Sequence, residues 1–124
     1  MTISYRKQAI LDTVETLVSG NGYSHESVEV TVTATLGNGS MLIGDAEAAV
    51  ADAANVDGII DDAKFDDGFY EVGDVVLTRV AKGHCVANSD VIKFSDAAYN
   101  GEALTSLEAK GVIFRTADTD FSRI

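Results

Sequence analysis

Apolar and polar residues alternate most regularly between residues 28 and 36. Threonine or glutamate occupies every second position, and the apolar residues between them share one side of an extended chain: Val28, Val30, Val32, Ala34 and Leu36. Successive side chains of a strand point to opposite faces, so this alternation predicts a half-buried β-strand. A turn at residues 37–40, followed by the apolar residues 41–43, predicts a hairpin in which 41–43 pair with this strand.

Shorter apolar runs bounded by glycine or aspartate continue to the end of the chain. They predict one helix over residues 103–110 and strands at 58–60, 72–80, 84–87 and 112–114. The alanine-rich residues 46–54 fit either a helical turn or a bordering strand. Strands do not alternate regularly with helices, so the pattern predicts a mostly β, barrel-like (β-rich α+β) domain with one or two short helices.

Near the N-terminus the apolar residues repeat with a different spacing. Apolar residues spaced three and four apart match one face of a helix, namely Ile10, Leu11, Val14, Leu17 and Val18. Glycine and asparagine at 20–22 then end the segment. We predict a short helix or a mobile arm within residues 1–24, as a possible partner-binding segment, and a β-rich domain over residues 25–124.

The chain is strongly acidic, which limits its partners. Nine lysines and arginines stand against twenty aspartates and glutamates, so the formal net charge is −11 at pH 7. Such a surface repels nucleic-acid phosphates and anionic membranes, and we expect neither as a partner. No apolar run is long enough to span a bilayer, and no signal peptide is recognisable.

Candidate catalytic and metal-binding groups are sparse. Cys85 is the only cysteine and follows His84, but neighbours on a strand face opposite ways and form no nucleophile pair. The same holds for the carboxylates of Asp61 and Asp62. Acidic residues are concentrated between residues 45 and 74, and we call this segment the acidic stretch. It fails the EF-hand pattern, because a loop starting at Asp62 has Lys64 at its third position. We therefore expect no enzyme activity, no cofactor and no metal site, and a core position for Cys85.

Two stretches carry a resemblance to a known family. Residues 72–94 read VGDVVLTRVAKGHCVANSDVIKF and residues 104–114 read LTSLEAKGVIF, preceded by GSMLI at 39–43 and DGII at 57–60. Their order resembles the lambda-type head decoration, or cement, proteins of tailed phages, over roughly residues 37–115. The resemblance implies a β-tulip-like domain on the outside of the capsid that clamps major capsid proteins, commonly as a trimer.

The leading hypothesis is therefore a virion structural protein that binds the phage head and stabilises it, after synthesis in the host cytoplasm. Its expected capsid contacts are an edge strand and the N-terminal residues Ile3, Tyr5, Ile10, Leu11 and Val14. The alternative is a small β-barrel ligand- or carbohydrate-binding module that stacks sugars on Tyr23, Phe65, Phe69, Tyr70 and Tyr99. A third hypothesis is a hydrolase that uses the acidic stretch.

Overall fold

The structure is a computed structural model that describes residues 8–13 and 24–116. Within these ranges the fold consists mainly of β-strands, which confirms the prediction of a mostly β, barrel-like domain. The helical elements are α1 (Thr105–Ala109) and the 3₁₀ helices Val50–Asn55 and Ala63–Phe65. The strands are β1 (Ile10–Thr13), β2 (His25–Thr31), β3 (Met41–Ile43), β4 (Ala46–Glu47), β5 (Gly58–Ile60), β6 (Val75–Ala81), β7 (Cys85–Asn88) and β8 (Ile113–Arg115).

Five strands form an antiparallel sheet in the order β2-β6-β5-β3-β4, which curls into a half-barrel. β6 lies between β2 and β5; it pairs with β2 along its whole length and with β5 only at Val80 and Ala81, whereas β2 and β4 are the two edges of the sheet. Apolar side chains from this sheet and the loop after β2 form one buried cluster: Val30, Leu36, Leu42, Ile60 and Val80. Their removal from water stabilises the curled sheet.

The second sheet has three strands in the order β1-β7-β8. β1 runs antiparallel to β7, and β8 runs parallel to it after a crossover that contains α1. A larger buried cluster joins both sheets to α1, with Ile10 from β1, Met41 from β3, Ile59 from β5 and Leu107 from α1 among its members. The two sheets therefore share this larger cluster as a common core.

The predicted N-terminal helix is wrong over residues 10–13. This segment is strand β1, with Ile10 opposite Ala87 and Thr13 opposite Cys85. The side chain of Asn88 also donates a hydrogen bond to the backbone of Gln8 (3.0 Å). The adjacent apolar residues Ile10 and Leu11 are compatible both with one face of a helix and with a buried strand. Because the segment pairs with β7, it forms a strand. Residues 10–13 therefore belong to the β-rich domain rather than to a separate arm.

The predicted hairpin between residues 28–36 and 41–43 is also wrong. β2 ends at Thr31 and pairs along its length with β6, where Thr31 lies opposite Val75. β3 pairs instead with β4 and β5. The hydroxyl of Thr33 accepts a hydrogen bond from the backbone N–H of Leu36 (3.1 Å), which bends the chain away from the sheet before β3 begins.

Other local predictions are confirmed with small shifts. Residues 58–60 form a strand, and the helix predicted at 103–110 is the shorter α1, Thr105–Ala109. Residues 46–54 adopt both alternatives in succession, since β4 is followed by a 3₁₀ helix. The strand predicted from Val72 begins at Val75, because a turn occupies the preceding residues.

Candidate interaction surface

The outward face of β6 exposes large apolar side chains. Along this strand Thr78 and Val80 point into the half-barrel and are buried, whereas Val75 and Leu77 point outward and are 61% and 67% exposed. The loop before the strand adds Phe69 and Val72, which are about equally exposed. These four side chains form what we call the 69–77 surface: Phe69, Val72, Val75 and Leu77. Solvent-facing apolar side chains concentrated in one stretch are typical of a surface that contacts a partner.

A tight turn fixes the start of this strand. The carboxylate of Asp74 accepts a hydrogen bond from the backbone N–H of Glu71 (2.9 Å), and Gly73 adopts a φ of 98°, where glycine is favoured. Val32 then exchanges backbone hydrogen bonds with Gly73 and Asp74, each 2.8 Å long. These contacts set the register of β6 against β2 and hold Val75 on the outer face.

Polar residues of β2 border the apolar residues of β6. In the register between the two strands, Thr31 lies opposite Val75, Glu29 opposite Leu77 and Ser27 opposite Arg79. All three β2 residues are exposed. An apolar strip with a polar rim is the usual organisation of a protein-binding surface.

Ser24, His25 and Asp61 form a hydrogen-bonded chain at the other end of β2. The Oγ atom of Ser24 lies 2.8 Å from Nδ1 of His25, and Nε2 of His25 lies 2.9 Å from a carboxylate oxygen of Asp61. These are the residue types of a serine hydrolase triad, but Ser24 is only 7% exposed. A serine nucleophile must reach its substrate. We assign the group a structural role, which is to fasten the start of β2 to the end of β5.

Asp61 and Asp62 point to different partners, as their adjacency predicts. Whereas Asp61 binds His25, Asp62 accepts hydrogen bonds from the hydroxyls of Thr78 (2.8 Å) and Tyr70 (3.2 Å). Burial, and then the negative charge of Asp62, raise the pKa of the Tyr70 hydroxyl. The two carboxylates are therefore used in separate hydrogen-bond networks and do not converge on one site.

Cys85 lies in the core, as expected, and its thiol is poorly ionised. Burial, followed by the negative charge of Asp61, raises the pKa of the Cys85 thiol to about 11. Because the thiolate is the reactive form, this environment suppresses nucleophilic chemistry at Cys85. Among the described residues, no group of three or more histidines, cysteines and carboxylates is arranged to hold a metal ion.

The aromatic residues proposed to stack sugars are mostly used inside the protein. Phe65 and Tyr70 contact each other edge to face with ring centroids 4.8 Å apart, and Tyr99 stacks on Phe114 at 5.9 Å. Of the four candidates within the described residues, only Phe69 is strongly exposed. They do not form one exposed row. Tyr23 lies outside the described residues.

The N-terminal residues proposed to contact a partner fall into two groups. Ile10 is 9% exposed and belongs to the shared core, and Leu11 is half-buried beside it in β1. The core position of Ile10 removes it from the partner-contact set, because its side chain already packs inside the domain. Ile3, Tyr5 and Val14 lie outside the described residues.

The exposure of Val72, Val75 and Leu77 was not predicted from the sequence. β6 has apolar residues at odd and even positions, so its alternation does not reveal which face is exposed. The useful signal is that β6 carries apolar residues on both of its faces. One face packs against the half-barrel interior, so the apolar residues of the other face remain available to contact a partner.

Comparisons with known proteins give no match for this chain. No protein-family model, no curated protein and no solved structure matches it. Within the described residues, no helix has the length and apolar character that crossing a bilayer requires.

Proposed function

We propose that this protein decorates the head of a tailed phage. It binds the outer surface of the capsid and stabilises the shell by bridging neighbouring major capsid proteins, as a homo-oligomer for which a trimer is favoured. The observation that carries the proposal is the 69–77 surface, whose apolar residues lie on the framework of a small β-rich domain. The resemblance of residues 37–115 to lambda-type decoration proteins supports the same function.

The physical basis of binding in this proposal is apolar burial. Covering a large aliphatic side chain contributes about 1.5–3 kcal/mol, so Val72, Val75 and Leu77 together supply several kcal/mol toward association. Part of that free energy offsets the lost freedom of the bound protein. A clamp of this kind needs no catalytic group, and its high negative charge keeps the free protein soluble before assembly.

The proposal keeps the predicted capsid contact of the N-terminal residues, but with fewer residues. Ile10 packs in the core, whereas Ile3, Tyr5, Leu11 and Val14 remain predicted capsid contacts. Of these, Ile3 and Tyr5 precede β1. Deleting residues 1–7 retains all of β1 and therefore tests this contact without removing a strand. We expect the truncated chain to fold and to bind capsids more weakly.

The decisive experiment measures binding to bare, expanded capsids from a panel of tailed phages. The full chain should bind at least one of them and raise its melting temperature in differential scanning calorimetry. The double variant V72S/L77S should bind at least tenfold more weakly while keeping its own stability, since both side chains are exposed.

The matched control is Ile113→Ser, which changes an exposed apolar residue (48%) on β8 of the other sheet. This variant should bind like the unmodified chain. Failure to bind any capsid would refute the proposed function. Equal weakening by V72S/L77S and Ile113→Ser would remove the 69–77 surface from it.

A further inference from the structure

The half-barrel leaves an open cleft between its two edge strands. β2 and β4 lie at opposite ends of the five-stranded sheet, yet residues of both line one cleft of about 360 Å³. β2 contributes residues 29–31 and β4 contributes Ala46 and Glu47. The cleft is therefore the place where another extended segment would have to lie to complete the barrel.

One carboxylate oxygen in this cleft has no hydrogen-bond donor within residues 8–13 and 24–116. The hydroxyls of Thr33 and Thr35 donate to Oε1 of Glu47 at 3.0 and 2.7 Å and hold the side chain across the opening. The second oxygen, Oε2, is shielded from solvent and has no partner among the described residues. A shielded carboxylate oxygen is costly without a donor, so Glu47 gains free energy when a bound partner reorients its side chain and supplies a donor.

The charge of the cleft selects a cationic donor. Glu29, Asp45 and Glu47 all line it, and no lysine, arginine or histidine does so within the described part of the chain. Val30, Leu36 and Val75 supply apolar lining beside the carboxylates. An ammonium or guanidinium group on an aliphatic stem matches this combination, because its stem packs on apolar residues while its head meets the carboxylates.

The edge of β2 supplies backbone groups for an extended partner. In an antiparallel pair, alternate residues direct their N–H and C=O groups away from the neighbouring strand, so half of those in β2 point away from β6. A second copy of this chain suits this edge poorly, because pairing of two β2 strands would place the glutamates of one copy against those of the other.

We propose that this cleft binds an extended polypeptide segment of a partner protein, with a lysine or arginine of that segment paired to Glu47. The segment adds a strand at β2, and its basic side chain pairs with the carboxylate of Glu47, which reorients to expose Oε2. The cleft adjoins the 69–77 surface at Val75, but the inference does not depend on capsid binding, since free peptides test it.

The probes are three capped heptapeptides with the sequence Thr-Val-Thr-Xaa-Thr-Val-Thr, in which the central residue is lysine, norleucine or glutamate. Each is titrated into the ¹⁵N-labelled full chain, and the amide shifts are followed by NMR. The lysine peptide should shift amides of residues 28–31 and 46–47 and bind at least fivefold more tightly than the norleucine peptide. The glutamate peptide should produce no shift.

Glu47→Gln should abolish the preference for lysine, and Asp45→Asn should weaken it if the Glu47 variant folds poorly. The control is Glu26→Gln, which removes a charge from β2 outside the cleft and should leave the preference unchanged. The inference is overturned if no peptide shifts these amides, or if Glu47→Gln and Glu26→Gln respond alike. Concentration-dependent changes at the same amides without peptide would assign the edge to a second copy and also overturn it.

Discussion

Nε2 of His25 lies 2.9 Å from the carboxylate of Asp61, although the two residues are thirty-six positions apart in the chain. The side chain of His25 is 9% exposed and that of Asp61 is 25% exposed, so solvent screens this contact only in part. Because the other ring nitrogen bonds Ser24, both nitrogens of the imidazole have partners. The pair joins the edge strand β2 to the end of the central strand β5.

Removing the acceptor of this pair should destabilise the fold. In Asp61→Ala a nearly buried imidazole nitrogen loses its partner, and we expect the free energy of unfolding to fall by about 1–3 kcal/mol. Urea denaturation followed by circular dichroism measures the change. Asp45→Ala, at an exposed position, should stay within about 0.5 kcal/mol of the unmodified chain. Equal losses in the two variants would show that the His25 contact contributes nothing.

Truncating Ile10 tests whether β1 is an integral part of the domain. Its side chain packs in the core that joins both sheets, and Ile10→Ala should cost about 2–5 kcal/mol through lost burial and a residual cavity. Leu77→Ala removes a similar aliphatic side chain from an exposed site and should change stability by less than about 0.5 kcal/mol. A stable Ile10→Ala variant would contradict the core position of β1.

Two glycines with positive φ provide a matched pair. A Cβ at Gly39 would stand 2.6 Å from the carbonyl oxygen of Val91, and its φ is 89°. At Gly44 the φ is 62°, and a Cβ there would meet no atom within 4 Å. Gly44→Ala should therefore cost only the conformational strain of about 1–2 kcal/mol, and Gly39→Ala clearly more. Thermal unfolding of both variants checks the order, and the reverse order would refute the close approach to Val91.

The raised thiol pKa of Cys85 predicts a pH dependence of stability. In the unfolded chain this thiol ionises around its ordinary pKa of 9.0, whereas in the folded protein its pKa is about 11. The folded state therefore holds the proton where the unfolded state releases it. Stability from this group is complete below pH 9 and declines as the pH rises to about 11.

The comparison with Cys85→Ala isolates that contribution, because Tyr70 and Tyr99 also have raised pKa values. The difference in unfolding free energy between the two proteins should shrink from pH 8.5 to pH 11. At pH 8 the native thiol should also react slowly with iodoacetamide, because only about one thiol in a thousand is ionised. Rapid alkylation of the native protein, or a difference that does not change with pH, would contradict the buried, neutral thiol.

The local character of most strands could be predicted from the sequence, but their partners could not. The alternation around Val28 and Val30 indicates a half-buried strand whichever neighbour it has, so it does not reveal that β6 rather than β3 pairs with it. Strand β1 is harder to predict, because Ile10 and Leu11 are compatible with the residue spacing of a helix and with that of a strand. The contact with β7 decides between the two.

The candidate site was predictable only in part. Phe69 was named from the sequence, but for a stacking role, and the exposure of Val75 and Leu77 depends on which face of β6 turns inward. The cleft at Glu47 was invisible, because it forms where two strands at opposite ends of one sheet approach each other. Distances of this kind depend on the curl of the sheet rather than on any short stretch of residues.

The pairing of the earliest strands with late ones has a consequence for biosynthesis. β1 needs β7 and β2 needs β6, so neither N-terminal strand has its partner until the ribosome has translated well past residue 75. Until then the growing chain exposes the apolar side of β2 without a sheet to cover it. Distant pairing of this kind slows folding and leaves nascent chains open to aggregation. The dense negative charge of the intervening stretch, residues 45–74, is translated during that interval and keeps nascent chains apart by electrostatic repulsion.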